Sequence, residues 1–152
     1  MSATPTKFHL GKGGAFSIST DGGTTYTQVK QLKTCSFTGA KSDFEDVTNM
    51  DSPGATREWA PTLLDGGQCQ IQGVFLDSDT GQLAFNAAYA AQALLTCKLQ
   101  MAPRAGQTVG FKRVFTAYCE EGNNLDAQFD KSSTFQGTLK ITGPVTDTAG
   151  TP

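Results

Sequence analysis

The chain has 152 residues, of which 17% are charged, and a formal net charge of −2. That length fits one independently folding core, and the sparse, balanced charge lacks the basic field with which nucleic-acid binders neutralise phosphates. No apolar run approaches the roughly 18 residues of a membrane helix and the first residues lack a signal-type hydrophobic segment, so a soluble protein made in the cytoplasm is expected.

Seventeen glycines with frequent serine and threonine point to a mainly β chain of short strands and turns. Residues 1–14 hold only Phe8 and Leu10 as large apolar groups, and read as an N-terminal arm without a core of its own. Segments 16–19 and 26–29 flank Asp21-Gly22-Gly23, whose positive-φ residues suit a tight turn, so a β-hairpin is expected. A strand over 31–38 puts Cys35 and Phe37 on one face, and Gly39 allows a bulge before a strand at 44–48.

Residues 49–67 carry two prolines, three glycines and no sustained period. A loop of that length is long enough to be functional, and Arg57, Trp59 and Leu63 argue against simple disorder. Residues 68–75 alternate strictly: Cys69, Ile71, Gly73 and Phe75 face one side, and Gln68, Gln70, Gln72 and Val74 the other, which predicts one buried and one polar, uncharged face. A helix is predicted to start after Asp79, which caps the amide of Gln82 while Gln82 answers in a capping box, and to run to about Gln92. Leu83, Ala87, Ala90 and Ala91 share one face of it, expected to lie on a sheet. Strands are predicted at 94–101, 109–118, 124–129 and 134–141, the last with Phe135, Gly137, Leu139 and Ile141 inward, and residues 143–152 read as a small polar tail. The architecture expected is a β-sandwich or half-barrel with one α-helix covering an open edge or end.

Signs of chemistry are weak. His9 stands alone without a ligand pair, so neither a metal nor a cofactor is expected. Cys35, Cys69, Cys97 and Cys119 show no Cys-x-x-Cys spacing and read as reduced core residues rather than a disulfide framework. Cys119 precedes Glu120 and Glu121, which disfavour its thiolate. Gly11-Lys12-Gly13-Gly14 lacks the strand and helix of a phosphate loop, and Asp77-Ser78-Asp79-Thr80-Gly81 lacks the later ligands of a calcium loop. The acids Asp43, Glu45, Asp46, Glu120, Glu121, Asp126 and Asp130 read as solvated surface rather than catalytic pairs, so no enzyme is expected.

A family resemblance enters from Asp43 onward. Asp46-Val47-Thr48 followed by Asp51-Ser52 resembles the strand exit of phage major tail tube proteins. The run Arg57-Glu58-Trp59-Ala60-Pro61-Thr62-Leu63-Leu64-Asp65-Gly66-Gly67 is similar to their next loop, with Thr62 where the family usually has glycine. Gln70 to Phe75, Asp79 to Leu83 and Thr134 to Val145 resemble the following strand, the helix start and the closing strand, so the likeness spans residues 31–145.

The resemblance implies a structural virion protein whose hexameric rings stack into a tail tube that conducts DNA, the fold being shared with the tube of type VI secretion. It implies an arm (1–14), a tube domain (15–142) containing the stacking loop 49–67, and a tail (143–152). Four strands from each of six subunits would close a barrel of about 24 strands, roughly 48 Å across its backbone and wide enough for duplex DNA. Asp51, Arg57, Trp59 and Leu63 are expected at the ring-stacking interface. Gln68, Gln70 and Gln72, with Asp43 and Glu45 close by, are expected to face the lumen, where uncharged or acidic groups would not hold phosphates. Partners implied are further copies of the chain, a tape-measure protein, and tail terminator and tip proteins; DNA passes without specific binding. The competing reading is a monomeric carbohydrate-binding sandwich, which would need an exposed aromatic platform over a concave face, and Trp59 is the chain's one tryptophan.

Overall fold

The first turn is built as the Asp-Gly pattern predicts. The Asp21 carboxylate accepts hydrogen bonds from the Ser19 hydroxyl and from the amides of Thr24 and Thr25, at 3.1 and 3.0 Å, while Gly22 and Gly23 take φ of 81° and 97°. This turn joins β1 (Ala15–Ser19) to β2 (Thr27–Val29), with Phe16 opposite Val29. The computed structural model describes residues 14–103 and 106–152, with Asn123 through its backbone alone. The arm expected at 1–14 therefore lies, Gly14 apart, outside the described residues, as do His9 and most of the Gly11–Gly14 run.

After β2 come β3 (Leu32–Thr38), β4 (Lys41–Asp46), β5 (Trp59–Asp65), β6 (Gln68–Val74), α1 (Thr80–Ala91), β7 (Leu94–Gln100), β8 (Lys112–Asp126) and β9 (Thr134–Thr148). Seven strands form one antiparallel sheet in the order β2-β1-β7-β8-β9-β6-β3, and β4 and β5 pair as a separate two-stranded hairpin. The two edge strands β2 and β3 are joined through Lys30 and Gln31 alone. A sheet whose opposite edges are tied so closely has to curl over on itself. The curl brings Phe37 of β3 against Phe115 of β8, which is not its neighbour in the sheet, with ring centroids 5.3 Å apart. The molecule is mainly β, a half-barrel with one helix, as the composition and alternation imply.

The alternating strands place their apolar faces as read. Cys69 and Ile71 of β6 and Phe135, Leu139 and Ile141 of β9 are buried, together with Phe16, Ile18, Val29, Leu95, Cys97, Phe115 and Ala117. Gly137 is inward because Phe85 of α1 occupies the space a side chain would take: a Cβ there would run into the ring. Phe85 also meets Phe135 edge-on at 5.6 Å.

Four expectations about elements change. The face of α1 that packs inward holds Gly81, Gln82, Phe85 and Ala88, and Leu83, Ala87, Ala90 and Ala91 are exposed. Phe85 brings more apolar area than the alanines, and Gly81 lets the helix approach the backbone of Gln28 and Val29 where no side chain would fit. Asp79 caps the Gln82 amide at 3.0 Å as expected, but Gln82 does not reach back to complete a capping box. Its amide instead donates to the carbonyls of Lys30 and Val74, at 3.1 and 2.9 Å, and accepts from the Leu76 amide at 3.0 Å. The segments predicted at 109–118 and 124–129 belong to one long strand, β8, which passes 119–124 by register shifts rather than a turn. Finally, β9 runs on past 141 to Thr148, irregular opposite β8 between Thr142 and Thr146, and Thr151 bridges Val109.

Candidate assembly surfaces

β3 and β6 continue into β4 and β5, so the four strands form one long two-stranded ribbon with an elbow. At the elbow Gly39 and Gly67 take φ of 80° and 82°, and a Cβ on Gly67 would collide with the backbone of Thr38 to Ala40. The last rung between β9 and the ribbon is the Ile141 amide on the Gly67 carbonyl at 3.0 Å. Beyond it the hairpin leaves the sheet. The Asp65 carboxylate braces the bend, accepting from the Gly67 amide at 2.8 Å and from Lys140 at 3.2 Å; these contacts, the amide first, hold its pKa below the ordinary value. Between the hairpin base and residues 143–147 opens a cleft of about 840 Å³, lined by Phe37, Ile141, Val145 and the ion pair of Arg113 with Asp147 at 2.7 Å.

The loop expected over 49–67 is half strand: β5 pairs with β4, Asp46 opposite Trp59 and Lys41 opposite Asp65, with a register shift between Ser42 and Phe44. β5 has β4 as its one neighbour, the setting in which a strand tolerates Pro61. The tip is held by its own polar groups, Thr48 Oγ1 accepting from the Glu58 amide at 2.8 Å and Ser52 donating to Glu58 at 2.7 Å. Arg57 reaches Asp46 at 3.8 Å, an exposed pair of little energetic weight. Asp46 is itself held below its ordinary pKa by the hydroxyl and amide of Thr48.

All four residues expected at a stacking interface, Asp51, Arg57, Trp59 and Leu63, are brought together on this hairpin. Trp59 is 54% exposed, Leu63 73% and Leu64 84%, and Phe44 and Met50 are exposed as well. Phe44, Met50 and Leu64 were not singled out from sequence, although the run Trp59 to Leu64 carries three large apolar groups that one-sided packing would not have left in water. From Lys41 to Asp65 the segment holds six carboxylates and two cations.

Gln70 and Gln72 lie on the outer face of β6, exposed; Gln68 is half-buried and its amide donates to Glu120 at 2.9 Å. Across the sheet Gln70 stands opposite Ser36 and Thr138, and Gln72 opposite Thr34 and Gln136. Together these groups make a polar, largely uncharged shallow surface, bordered by Glu121 and Asn124. Asp43 and Glu45 are exposed on β4 and so belong to the hairpin rather than to this face. Trp59 likewise stands on a projecting ribbon and not over a concave sheet. Cys119 is half-buried against the Phe85 carbonyl, and burial pushes its thiol up to about 11, so it stays protonated at neutral pH. Among the described residues, no group of three or more His, Cys, Asp or Glu is placed to hold a metal ion.

No protein-family model matches the sequence, and no curated protein matches it. Solved structures do match the fold. A chain of the anti-feeding prophage baseplate, resolved with 6-fold symmetrisation, superposes with a TM-score of 0.66 at 8% identity, over 97% of this chain and 98% of that one. A chain from the tail of an empty GTA particle with C6 symmetry gives 0.62 at 15% identity, over 89% and 95%. The SPP1 tail tube protein gives 0.68 at 13% identity, over 95% and 81%. The curled sheet with its helix thus has the fold of the chains solved in a phage tail tube, a GTA tail and the anti-feeding prophage baseplate. Among those neighbours stand the tail tube proteins that the motifs between residues 31 and 145 resemble.

Proposed function

We propose that this chain is a structural subunit of a phage tail, and that its copies close hexameric rings which stack into a tube conducting DNA. The observation that carries the reading is the β4–β5 hairpin, which stands off the core with Phe44, Trp59, Leu63 and Leu64 exposed. Large apolar side chains exposed together on a projecting ribbon mark a surface for a partner to cover. Head-to-tail contact is heterologous, so the ribbon meets a different patch on the next ring and growth is open-ended.

Ring closure follows from strand edges. β3 pairs with β6 on one side only, and residues 119–126 of β8 pair with β9 but extend past β7, whose partners are 112–118. The four strands β8, β9, β6 and β3 therefore present two free edges, and free edges invite pairing with another chain. Six copies joined through them would give the barrel of about 24 strands. In that arrangement the face of Gln68, Gln70 and Gln72 lines the bore, with Asp43 and Glu45 at its rim, and offers DNA no cationic grip. The arm 1–14 reaches neighbouring copies, whereas residues 146–148 and Thr151 pair with β8 and Val109 of their own chain; the ends of the tube contact tape-measure, terminator and tip proteins. The product is a virion component assembled in the host cytoplasm, with a structural and not a catalytic role. The 6-fold and C6 symmetries of the baseplate and tail that hold two of the fold's neighbours support the ring number.

The test is a variant in which residues 42–64 are replaced by a short Gly/Ser link between Lys41 and Asp65. It should fold, because the hairpin adds nothing to the buried core, and electron microscopy should show no stacked tubes at concentrations where the parent forms them. A variant that polymerises like the parent overturns the reading of the hairpin, and a parent that stays monomeric at every concentration overturns the tube.

A further inference from the structure

Cys35 on β3 and Cys69 on β6 both point into the fold, and their sulfurs lie 3.6 Å apart without a bond between them. The two differ in access. Cys69 is fully buried, whereas Cys35 lines an open groove of about 160 Å³ together with Gly14, Phe16, Leu32, Leu99 and Met101. From this geometry we propose that Cys35 and Cys69 form a thiol–disulfide site, in which Cys35 is attacked from the groove by small disulfides and Cys69 closes an internal bond that staples the edge strand to its neighbour.

The chemistry needs one oxidant, a low-molecular-weight disulfide such as oxidised glutathione. The Cys35 thiolate attacks one sulfur of that disulfide, the sulfur–sulfur bond breaks, and one glutathione leaves as its thiolate. The Cys69 thiolate then attacks the Cys35 sulfur of the mixed disulfide and expels the second glutathione. Two protein thiols are oxidised, one glutathione disulfide is reduced to two thiols, and the two cysteine protons end on the departing sulfurs. The surroundings favour these roles. The hydrogen bond from Cys69 lowers the pKa of Cys35, with the positive charge of Arg113 assisting, while the same bond and burial raise that of Cys69. An accessible, more acidic thiol beside a sealed, less acidic one is the division of labour that exchange requires.

Cys35 stands opposite Ile71 and Cys69 opposite Phe37, so the thiols approach along a diagonal. A disulfide needs about 2.05 Å between sulfurs. The remaining closure falls on β3, which is an edge strand and carries a register shift between Leu32 and Thr34, so it has slack to move. Reducing cytoplasm keeps the pair open and oxidising surroundings close it.

The experiment incubates the folded full chain with excess oxidised glutathione, stops the reaction by denaturing in maleimide, and measures intact mass. The parent should become lighter by two hydrogens and take two maleimides where the untreated chain, with its four free cysteines, takes four. Proteolysis should then join the Cys35 and Cys69 peptides. Cys69→Ala should halt at a persistent single glutathione adduct on Cys35, Cys35→Ala should take no adduct, and Cys97→Ala should still lose two hydrogens. A parent that keeps four labels, that retains an adduct, or whose linked peptides contain Cys97 or Cys119 overturns the proposal. The peptide map of the parent decides the matter even if a variant fails to fold.

Discussion

Trp59→Ala separates assembly from folding. The side chain is 54% exposed, and an indole of the usual size would leave roughly 100 Å² for a partner to cover. At about 25 cal/mol per Å² that is about 2.5 kcal/mol, of which ordering at the interface takes back a part, leaving about 2 kcal/mol per subunit contact. A loss of that size raises the critical concentration for tube growth about 30-fold if one contact is counted, and more steeply where the copies in a ring attach together. The isolated subunit should not notice, because Trp59 lies outside the buried core, and its unfolding free energy should stay within about 0.5 kcal/mol of the parent. The assay is pelleting across a concentration series, with thermal unfolding of the unassembled protein alongside. An unchanged critical concentration would refute the reasoning, and so would a subunit destabilised as much as the tube.

Gln82→Ala should do the reverse. It strands the Lys30 and Val74 carbonyls and the Leu76 amide, at a cost of about 2–4 kcal/mol after water reaches the outermost of them; a loss below about 1 kcal/mol by urea titration would remove Gln82 from its role as a tie between the β2–β3 link and the end of β6. Asp21 predicts a pH signature. Its pKa falls from 3.8 to about 2 through the Ser19 hydroxyl and the Thr25 and Thr24 amides, so its contribution is complete above 3.8 and is withdrawn as pH drops toward 2. The difference in thermal midpoint between the parent and Asp21→Asn should be level from neutral to about pH 5 and shrink through that acid window; a difference that stays constant there excludes the mechanism.

What could be read from sequence follows the range of the forces involved. β6 and β9 were legible because one face is wet and the other dry, so Cys69, Ile71, Phe135 and Leu139 betray themselves by period. The cap at Asp79 was legible because its partner is three residues away. Gln82 was not, since its partners lie on the β2–β3 link, at the end of β6 and on the link into the helix, and nothing local distinguishes a buried glutamine from a solvated one. Without that anchor the alanines of α1 offered the wrong face. The hairpin escaped detection for the opposite reason: neither of its faces is buried in the subunit, so no alternation marks β5, and Pro61 and the register shift beside Phe44 hide what remains. The gap left between the strands predicted at 109–118 and 124–129 proved to lie within β8, where Gly122 makes room for the Tyr89 ring. Asp51, Arg57, Trp59 and Leu63 were read as parts of one loop and lie on one hairpin, and Asp43 and Glu45 fall on its strand β4 rather than in the sheet that holds the glutamines.

The order of strands also bears on how the subunit is made. β9 follows every other strand in sequence, yet it sits between β8 and β6 and is the piece that joins the two halves of the sheet. A chain emerging from the ribosome at about 5–20 residues per second can form β1–β2 and β3–β6 early, but it cannot close the curl or complete the four-strand face until β9 arrives. Until then there is no finished ring surface to recruit a neighbour. Because late, long-range pairing is slow relative to local hairpins, the order of synthesis would, on the proposed function, hold back assembly until each subunit is complete.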